Sequence, residues 1–119
     1  MDLARKLQLK PGQSVAIVAQ PAGVALDLGS DHPASDGADQ PEAVIVFCRN
    51  RDELERLSGE FVPPAERDAL TWVAYPKAGQ LGTDLNRDRL AELVRAHGVQ
   101  PVRQVALDDV WSALRLRPA

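Results

Sequence analysis

The 119-residue sequence lacks the features that mark several classes of protein. Cys48 is its single cysteine, so an internal disulfide is excluded, which agrees with a reducing compartment. No apolar run approaches the roughly 20 residues that cross a bilayer, and the first residues contain no apolar signal core. Basic residues are not in excess, because 14 Lys and Arg stand against 17 Asp and Glu. This balance argues against a general nucleic-acid binder, and we expect a cytoplasmic protein.

The composition is that of a globular domain. Hydrophobic residues make up 45% of the chain and charged residues 26%, which excludes general disorder and collagen-like, coiled-coil or disulfide-scaffold structures. Domains usually contain about 100–150 residues. The sequence therefore predicts one domain over residues 1–119.

Apolar runs and helical spacings alternate along the chain. The runs predict five strands, at residues 14–19, 43–48, 70–75, 102–107 and 111–117. Leucines and valines at spacings of three and four predict helices at residues 2–8 and 22–28, after Asn50, and up to about His97. Residues 63–64 are both proline and predict the start of a short turn or helix that ends near Ala69. Residues 29–41 predict a flexible acidic loop within the domain.

Polar residues mark where the helices begin and end. Asn50 is placed to cap one helix, with Glu53 three residues later as in a capping box. Thr83, Asp84 or Asn86 is placed to cap the next helix, and Gly98 is the expected stop for it. Strands that alternate with helices predict an α/β fold with parallel strands joined by right-handed crossovers. Only a turn at Asp108–Asp109 separates the last two strands, so the fifth strand should be antiparallel.

The segment Lys10–Val15 resembles the entry to the first strand of class I S-adenosylmethionine-dependent methyltransferases. The closing order of helix, Gly98, strand, Asp-Asp turn and antiparallel strand is similar to the C-terminal half of the same fold. The resemblance implies one three-layer Rossmann-like domain with a mostly parallel sheet of about five strands. It also implies the strand order first, second, third, fifth, fourth.

The cofactor-binding turn of that family is not preserved. Laid over this chain, its acidic position falls at Ile17, its first two glycines fall at Ala19 and Pro21, and only Gly23 remains. Glycine allows close backbone approach and positive φ, whereas proline fixes φ and removes an N–H group. We therefore expect no methyl transfer and no bound cofactor.

A closer resemblance is to a family of short uncharacterised bacterial proteins. Its recurring features correspond here to Leu9–Gly12, Trp72–Lys77, Asn86–Asp88 and Trp111–Arg115. The resemblance implies the same truncated fold and carries no established activity.

Ligands of open α/β sheets bind beyond the carboxyl ends of the strands. The residues expected there, as a site for a carboxylate or phosphate, are Arg49, Tyr75, Lys77, Asn86 and Arg87. The alternative is that the basic residues pair with neighbouring aspartates on a solvated surface. Tyr75 with Lys77 as a proton-transfer pair is the weaker hypothesis, because packing explains the tyrosine and solvent exposure explains the lysine. Cys48 reads better as a small buried side chain than as a nucleophile.

The acidic loop and the strand arginines have simple explanations as well. Asp31, His32, Asp36 and Asp39 lack the spacing of a calcium loop and are best read as a solvated connector rather than a cation site. Arg115 and Arg117 need partners if the fifth strand is central. Asp108, Asp109 and the C-terminal carboxylate of Ala119 are the candidates. The alternative is that both guanidinium groups reach solvent near the end of the sheet.

The uncharged first strand is expected at a sheet edge, where it invites pairing. Either residues 22–42 cover it, or two copies meet there as a homodimer.

Taken together, the sequence favours a non-catalytic module that binds either a small ligand or another protein. The expected site predicts that a small ligand would be anionic. The main alternative is an enzyme that acts on a small anionic substrate through Lys77, Arg49 and Tyr75. A third hypothesis is residual nucleotide binding without catalysis. No metal is implied.

Overall fold

The computed structural model describes residues 3–24, 26 and 42–119, which form an α/β fold. The strands are β1 Val15–Val18, β2 Ala43–Phe47, β3 Leu70–Pro76, β4 Val99–Ala106 and β5 Trp111–Pro118. The α-helices are α1 Leu3–Lys6, α2 Arg51–Arg56, α3 Ser58–Glu66 and α4 Arg87–Ala96, and a 3₁₀ turn spans Gln80–Gly82. Over these ranges, no helix is both long enough and apolar enough to cross a membrane.

The five strands form one sheet in the order β1-β2-β3-β5-β4. This order and the reversed last strand agree with the expectation from the sequence. Only β1 with β2 and β2 with β3 pair in parallel, because β5 inserts between β3 and β4 and is antiparallel to both. The sheet is therefore mixed and only partly parallel in its pairing: among the described strands, β5 is reversed and the other four run in one direction.

One face of the sheet, which we call the helix face, is covered by α2, α3 and α4. The central strands β2 and β3 are buried along their whole length, so alternate residues pack against opposite layers. On the helix face, the sheet side chains pack against helix residues with no solvent exposure: Leu54, Phe61, Ala65, Leu90 and Val94.

The opposite face, which we call the N-terminal face, carries the aromatic core. Phe47 and Trp111 meet edge to face with ring centroids 5.2 Å apart. The indole Nε1 of Trp72 donates a 3.0 Å hydrogen bond to the carbonyl of Leu7, immediately after α1. Among the described residues, α1 is the one α-helix that packs on this face. Residues 22–24 of the expected helix 22–28 lie in a turn instead, and most of its remainder lies outside the described residues.

Two elements differ from the sequence expectation. Pro63 and Pro64 do not start a new segment but lie inside α3, which already begins at Ser58 after a break at Leu57. Proline lacks the N–H that would bond the carbonyl four residues earlier. Those carbonyls belong to the exposed residues Gly59 and Glu60, so water can satisfy them. The strand β4 begins at Val99, three residues earlier than expected.

The ends of the helices follow the polar residues identified in the sequence. Asn50 Oδ1 accepts the N–H of Glu53 at 2.9 Å, and Asn86 Oδ1 accepts the N–H of Arg89 at 2.8 Å. Helix α4 ends at Ala96 with His97 as its C-cap, and Gly98 follows with a φ of 86°. That left-handed conformation is the reason for glycine at this position.

Candidate functional site

The start of α2 lies beyond the carboxyl end of β2, where the sequence predicts a ligand site. Arg49 donates from its backbone N–H to Glu53 Oε1 at 3.0 Å and from its Nε to Oε2 at 2.9 Å. The backbone N–H of Arg51 donates to Asp84 Oδ1 at 2.9 Å. The first turn of α2 is thus tied to the segment before α4, and the guanidinium of Arg49 already has a carboxylate partner.

Glu53 is a nearly buried carboxylate that its neighbours keep ionised. Burial acts to raise its pKa, but the backbone N–H and the guanidinium of Arg49, together with the charge of Arg56, outweigh burial. The pKa of Glu53 therefore lies below its ordinary value. This arrangement stabilises the helix start through the charge of Glu53 in the first turn and its hydrogen bonds to Arg49, the residue before the cap.

Tyr75 and Lys77 come at the end of β3 but have different surroundings. The ring of Tyr75 is buried in the core of the helix face, and its Oη accepts a 2.9 Å hydrogen bond from Gln104 Nε2. Burial raises the pKa of Tyr75 above its ordinary value, against the opposing charge of Arg87. The phenol is therefore protonated at neutral pH. Lys77 is partly exposed, and its backbone N–H donates to the carbonyl of Val110 at 2.7 Å.

Cys48 is fully buried on the helix face, in the core between the sheet and the helices. Burial, with a smaller contribution from the charge of Glu53, raises the pKa of its thiol to about 12, although Arg56 acts in the opposite direction. Since the thiolate is the reactive form, this cysteine is inert at neutral pH. Within residues 3–24, 26 and 42–119, no group of three or more His, Cys, Asp or Glu side chains is placed to hold a metal ion.

A groove of about 620 Å³ runs between α4 and the edge strand β4, and we call it the α4–β4 groove. The wall from α4 consists of Arg87, Asp88, Ala91, Glu92 and Arg95, and the wall from β4 consists of Pro101, Val102, Arg103 and Gln104. Leu114 of β5 completes the lining. The groove therefore offers three arginines, two carboxylates and an apolar strip.

The strand β4 forms one edge of the sheet, since its single strand neighbour among the described residues is β5. The register shifts between Pro101 and Arg103, so Val102 is a bulge and is 46% exposed. Proline and bulges both restrict strand addition at an edge. The regular part of the edge is Arg103–Ala106.

A second groove of about 590 Å³ lies at the end of the sheet where β2 and β3 begin, and we call it the amino-edge groove. The residues that line it are Gln8, Lys10, Gln13, Glu42, Arg67, Asp68, Ala69, Leu70 and Arg115. Beside it, Arg117 donates through Nε and Nη2 to both carboxylate oxygens of Asp68, each at 3.0 Å. This bidentate pair lowers the pKa of Asp68.

The candidate partners named for Arg115 and Arg117 were wrong, although the Arg117 side chain is about half exposed. Gln8 bonds Arg115 and Asp68 bonds Arg117, because β5 runs antiparallel and carries its C-terminal half to the end of the sheet where β2 and β3 begin. Asp108 lies at the other end of β5, where its Oδ1 accepts the N–H groups of Val110 and Trp111.

Of the five residues expected to bind a ligand, Arg87 alone lines one of the two grooves. Its Nε lies 3.9 Å from Asp88 Oδ1, and both side chains are exposed. Tyr75 is linked to the α4–β4 groove through Gln104, whereas the side chain of Asn86 is used as the cap of α4. A site formed by all five residues stays a prediction.

Arg95 and Arg103 line the α4–β4 groove but were not predicted as site residues from the sequence. The helical spacing from Arg87 to Arg95 was the available signal for Arg95.

The turn after β1 contains two residues with positive φ, although alanine and proline stand where the resemblance places its first two glycines. Ala19 has a φ of 59° and Gly23 a φ of 83°. Gln20 Nε2 donates to the carbonyl of Val24 at 2.7 Å, and the N–H of Val24 donates to the carbonyl of Pro21 at 3.2 Å. The turn is thus closed by its own hydrogen bonds.

Neither a protein-family model nor a curated protein matches this chain.

Proposed function

We propose that the chain is a non-catalytic binding module, and that its α4–β4 groove holds an extended segment of a partner protein. The observation that carries the proposal is the groove itself, which opens beside an edge strand and contains exposed arginines on both walls. Edge strands bind extended peptides through main-chain hydrogen bonds, and flanking side chains supply specificity.

The fold is, in this proposal, a shortened form of the methyltransferase-like three-layer fold that has lost cofactor binding. The strand order with its reversed β5 supports this view. The left-handed backbone of Ala19 supports it too, because a glycine would be expected at this position of the cofactor turn. The methyl group of Ala19 and the ring of Pro21 occupy the turn where a nucleotide-type cofactor would need close backbone approach.

The state of the reactive side chains favours binding over catalysis. The thiol of Cys48 and the phenol of Tyr75 are buried and protonated at neutral pH. Arg49 is neutralised by Glu53. The enzyme hypothesis requires Lys77, Arg49 and Tyr75 to reach a small anionic substrate together, and neither groove is lined by any of them.

The charges of the groove define the partner segment. Arg95 on the helix wall and Arg103 on the strand wall suit acidic side chains, whereas Asp88 and Glu92 suit a basic one. The exposed Val102 suits an apolar side chain. We therefore expect a segment that pairs with Arg103–Ala106 and carries acidic residues next to an apolar residue.

The test is selection of binders from a library of short random peptides displayed on phage. Enriched peptides should be acidic, and they should bind at least about tenfold more weakly to the double variant Arg95→Glu, Arg103→Glu, which corresponds to about 1.4 kcal/mol. The double variant Arg51→Glu, Arg89→Glu is the matched control. It reverses the same number of charges at exposed positions that do not line the groove.

Enriched peptides that bind both double variants equally would place the binding surface elsewhere and contradict the proposal. A library that yields no binder would contradict it as well.

The homodimer expected through β1 stays a prediction. The strand does form an edge of the sheet and Ile17 is 36% exposed, and light scattering of the purified chain tests whether two copies associate.

A further inference from the structure

Arg115 lies in an unusual place for a charged residue. It belongs to β5, a central strand, and its register partners are Trp72 on β3 and Arg103 on β4. A charge in the middle of a sheet normally has a partner of opposite charge, because removal from water costs free energy. Arg115 has none among the described residues.

The hydrogen bonds of Arg115 leave part of its guanidinium unused. Nη1 donates to the amide oxygen Oε1 of Gln8 at 2.6 Å. Nε is buried and has no hydrogen-bond partner within the described part of the chain. An amide oxygen carries no net charge, so this contact does not neutralise the arginine.

The neighbouring charges make the positive charge of Arg115 less favourable still. Burial lowers the pKa of Arg115, and the charges of Arg117 and Arg103 lower it further, whereas Asp68 acts in the opposite direction. Both oxygens of Asp68 are already bonded by Arg117. The carboxylate whose charge favours Arg115 is therefore committed to another guanidinium.

Arg115 also lines the amino-edge groove, where further polar groups surround it. Lys10 and Arg67 add positive charge, and Gln8 and Gln13 add amides. Glu42 and Asp68 lie in the same lining. The groove thus combines Arg115, which forms no ion pair with the described residues, with two carboxylates in the same lining.

We propose that the amino-edge groove binds the carboxylate of a small organic molecule against Arg115 and Lys10. A guanidinium and a carboxylate form strong, directional hydrogen bonds. Glu42 and Asp68 disfavour a ligand with a second negative charge, and Glu42 can accept a hydrogen bond from an ammonium or hydroxyl group. The ligand class is therefore a small amino acid or hydroxy acid rather than a phosphate ester. This site is separate from the α4–β4 groove and does not depend on the function proposed there.

The test uses the arginine Nε–Hε signals in ¹⁵N-correlated NMR spectra of the full chain. Acetate, lactate and glycine are titrated at constant ionic strength, with inorganic phosphate as the comparison anion and chloride as the salt control. Lactate and glycine should shift the Arg115 signal saturably and more tightly than acetate or phosphate. The Lys10→Gln variant, altered at an exposed position, should bind about tenfold more weakly.

The Arg115→Met variant separates a binding role from a structural one. If the arginine is held for a ligand, the variant should lose binding but melt no lower than the wild-type chain, because it removes a partly buried charge that forms no ion pair with the described residues and whose Nε has no hydrogen-bond partner there. The Arg89→Met variant is the control and should bind normally.

Three results would overturn the proposal: no saturable shift with lactate or glycine, phosphate binding more tightly than both, or unchanged binding in Lys10→Gln and Arg115→Met. A much lower melting temperature for Arg115→Met together with unchanged binding in Lys10→Gln would assign Arg115 to structure alone. Each of these results leaves the peptide selection at the α4–β4 groove unaffected, so the two proposals fail independently.

Discussion

Residues in the left-handed region mark the ends of several elements. Ala19 follows β1 and Asp68 follows α3, with φ values of 59° and 61°. A residue with a Cβ pays roughly 1–2 kcal/mol for this conformation, and aspartate is tolerated better than most. The bidentate bond of Asp68 to Arg117 offsets part of that strain. No hydrogen bond or ion pair of the Ala19 side chain is possible, so its strain is not offset in this way.

We predict that Ala19→Gly increases the free energy of unfolding by about 1 kcal/mol. The substitution removes the steric cost of positive φ, and the gain exceeds the entropy that glycine adds to the unfolded chain. Urea denaturation followed by tryptophan fluorescence measures the change. Gly23→Ala, which has open space around the new Cβ but a φ of 83°, should decrease stability by a similar amount. A less stable Ala19→Gly variant would show that the turn is not strained.

At the residue scale, the helix caps and the burial of Cys48 and Tyr75 were readable from the sequence, whereas the distant partners of side chains were not. Asn50 and Asn86 cap their helices as expected, since capping depends on a few neighbouring residues. The position of Tyr75 depends on the sheet, because alternation turns its ring into the helix face. The partner of Arg115 comes from a residue 107 positions away. No local pattern contains that information.

At the element scale, the start of α2 depends on one carboxylate. Glu53 bonds both the backbone and the side chain of Arg49. Its pKa is lower in the folded chain than its ordinary value of 4.5. A group with a depressed folded pKa stabilises the fold at pH values above its unfolded pKa. That stabilisation is lost as the pH falls through the folded pKa.

Glu53→Gln should therefore destabilise the chain by about 1–2 kcal/mol at neutral pH. The difference from wild type should remain constant down to about pH 5 and shrink at lower pH, as the wild-type carboxyl becomes protonated. Denaturant unfolding at a series of pH values measures the difference, and Asp52→Gln at an exposed neighbouring position is the control. A difference that is independent of pH between 5 and 3 would contradict the role assigned to Glu53.

The observed element boundaries differ from the sequence expectation where tertiary contacts override local preference. The sequence predicts a boundary at Pro63–Pro64, yet α3 continues through both prolines because the carbonyls left without donors are exposed. The early start of β4 at Val99 has a similar origin. Pairing with Pro118 and Arg117 of β5 extends the strand into residues whose own pattern is not that of a strand.

At the scale of the whole molecule, the N-terminal segment closes one face of the sheet. Ala4, Leu7 and Leu9 pack against the aromatic core that includes Trp72 and Trp111. The hydrogen bond from Trp72 to the carbonyl of Leu7 fixes the chain where it leaves α1. Since α1 has four residues, its stability must come from this packing rather than from helix propensity.

Trp72→Phe should lower the free energy of unfolding by about 1–3 kcal/mol, because the carbonyl of Leu7 loses its donor and a gap opens beside it. Hydrogen exchange should accelerate most at Leu7 and Leu9, while protection in α4 follows the global change. Trp111→Phe, which alters the same face without removing a described hydrogen bond, is the matched comparison. Equal acceleration throughout the chain in both variants would show that the bond has no local role.

The most direct test of the account is an amide chemical-shift map of the ¹⁵N-labelled chain with a selected acidic peptide and, separately, with S-adenosylmethionine. The account predicts that the peptide shifts amides along both walls of the α4–β4 groove, at Ala91, Glu92, Arg103 and Gln104. S-adenosylmethionine should shift none of the amides from Ala19 to Gly23. Saturable shifts at that turn with S-adenosylmethionine, and none in the groove with the peptide, would contradict a binding module that has lost its cofactor.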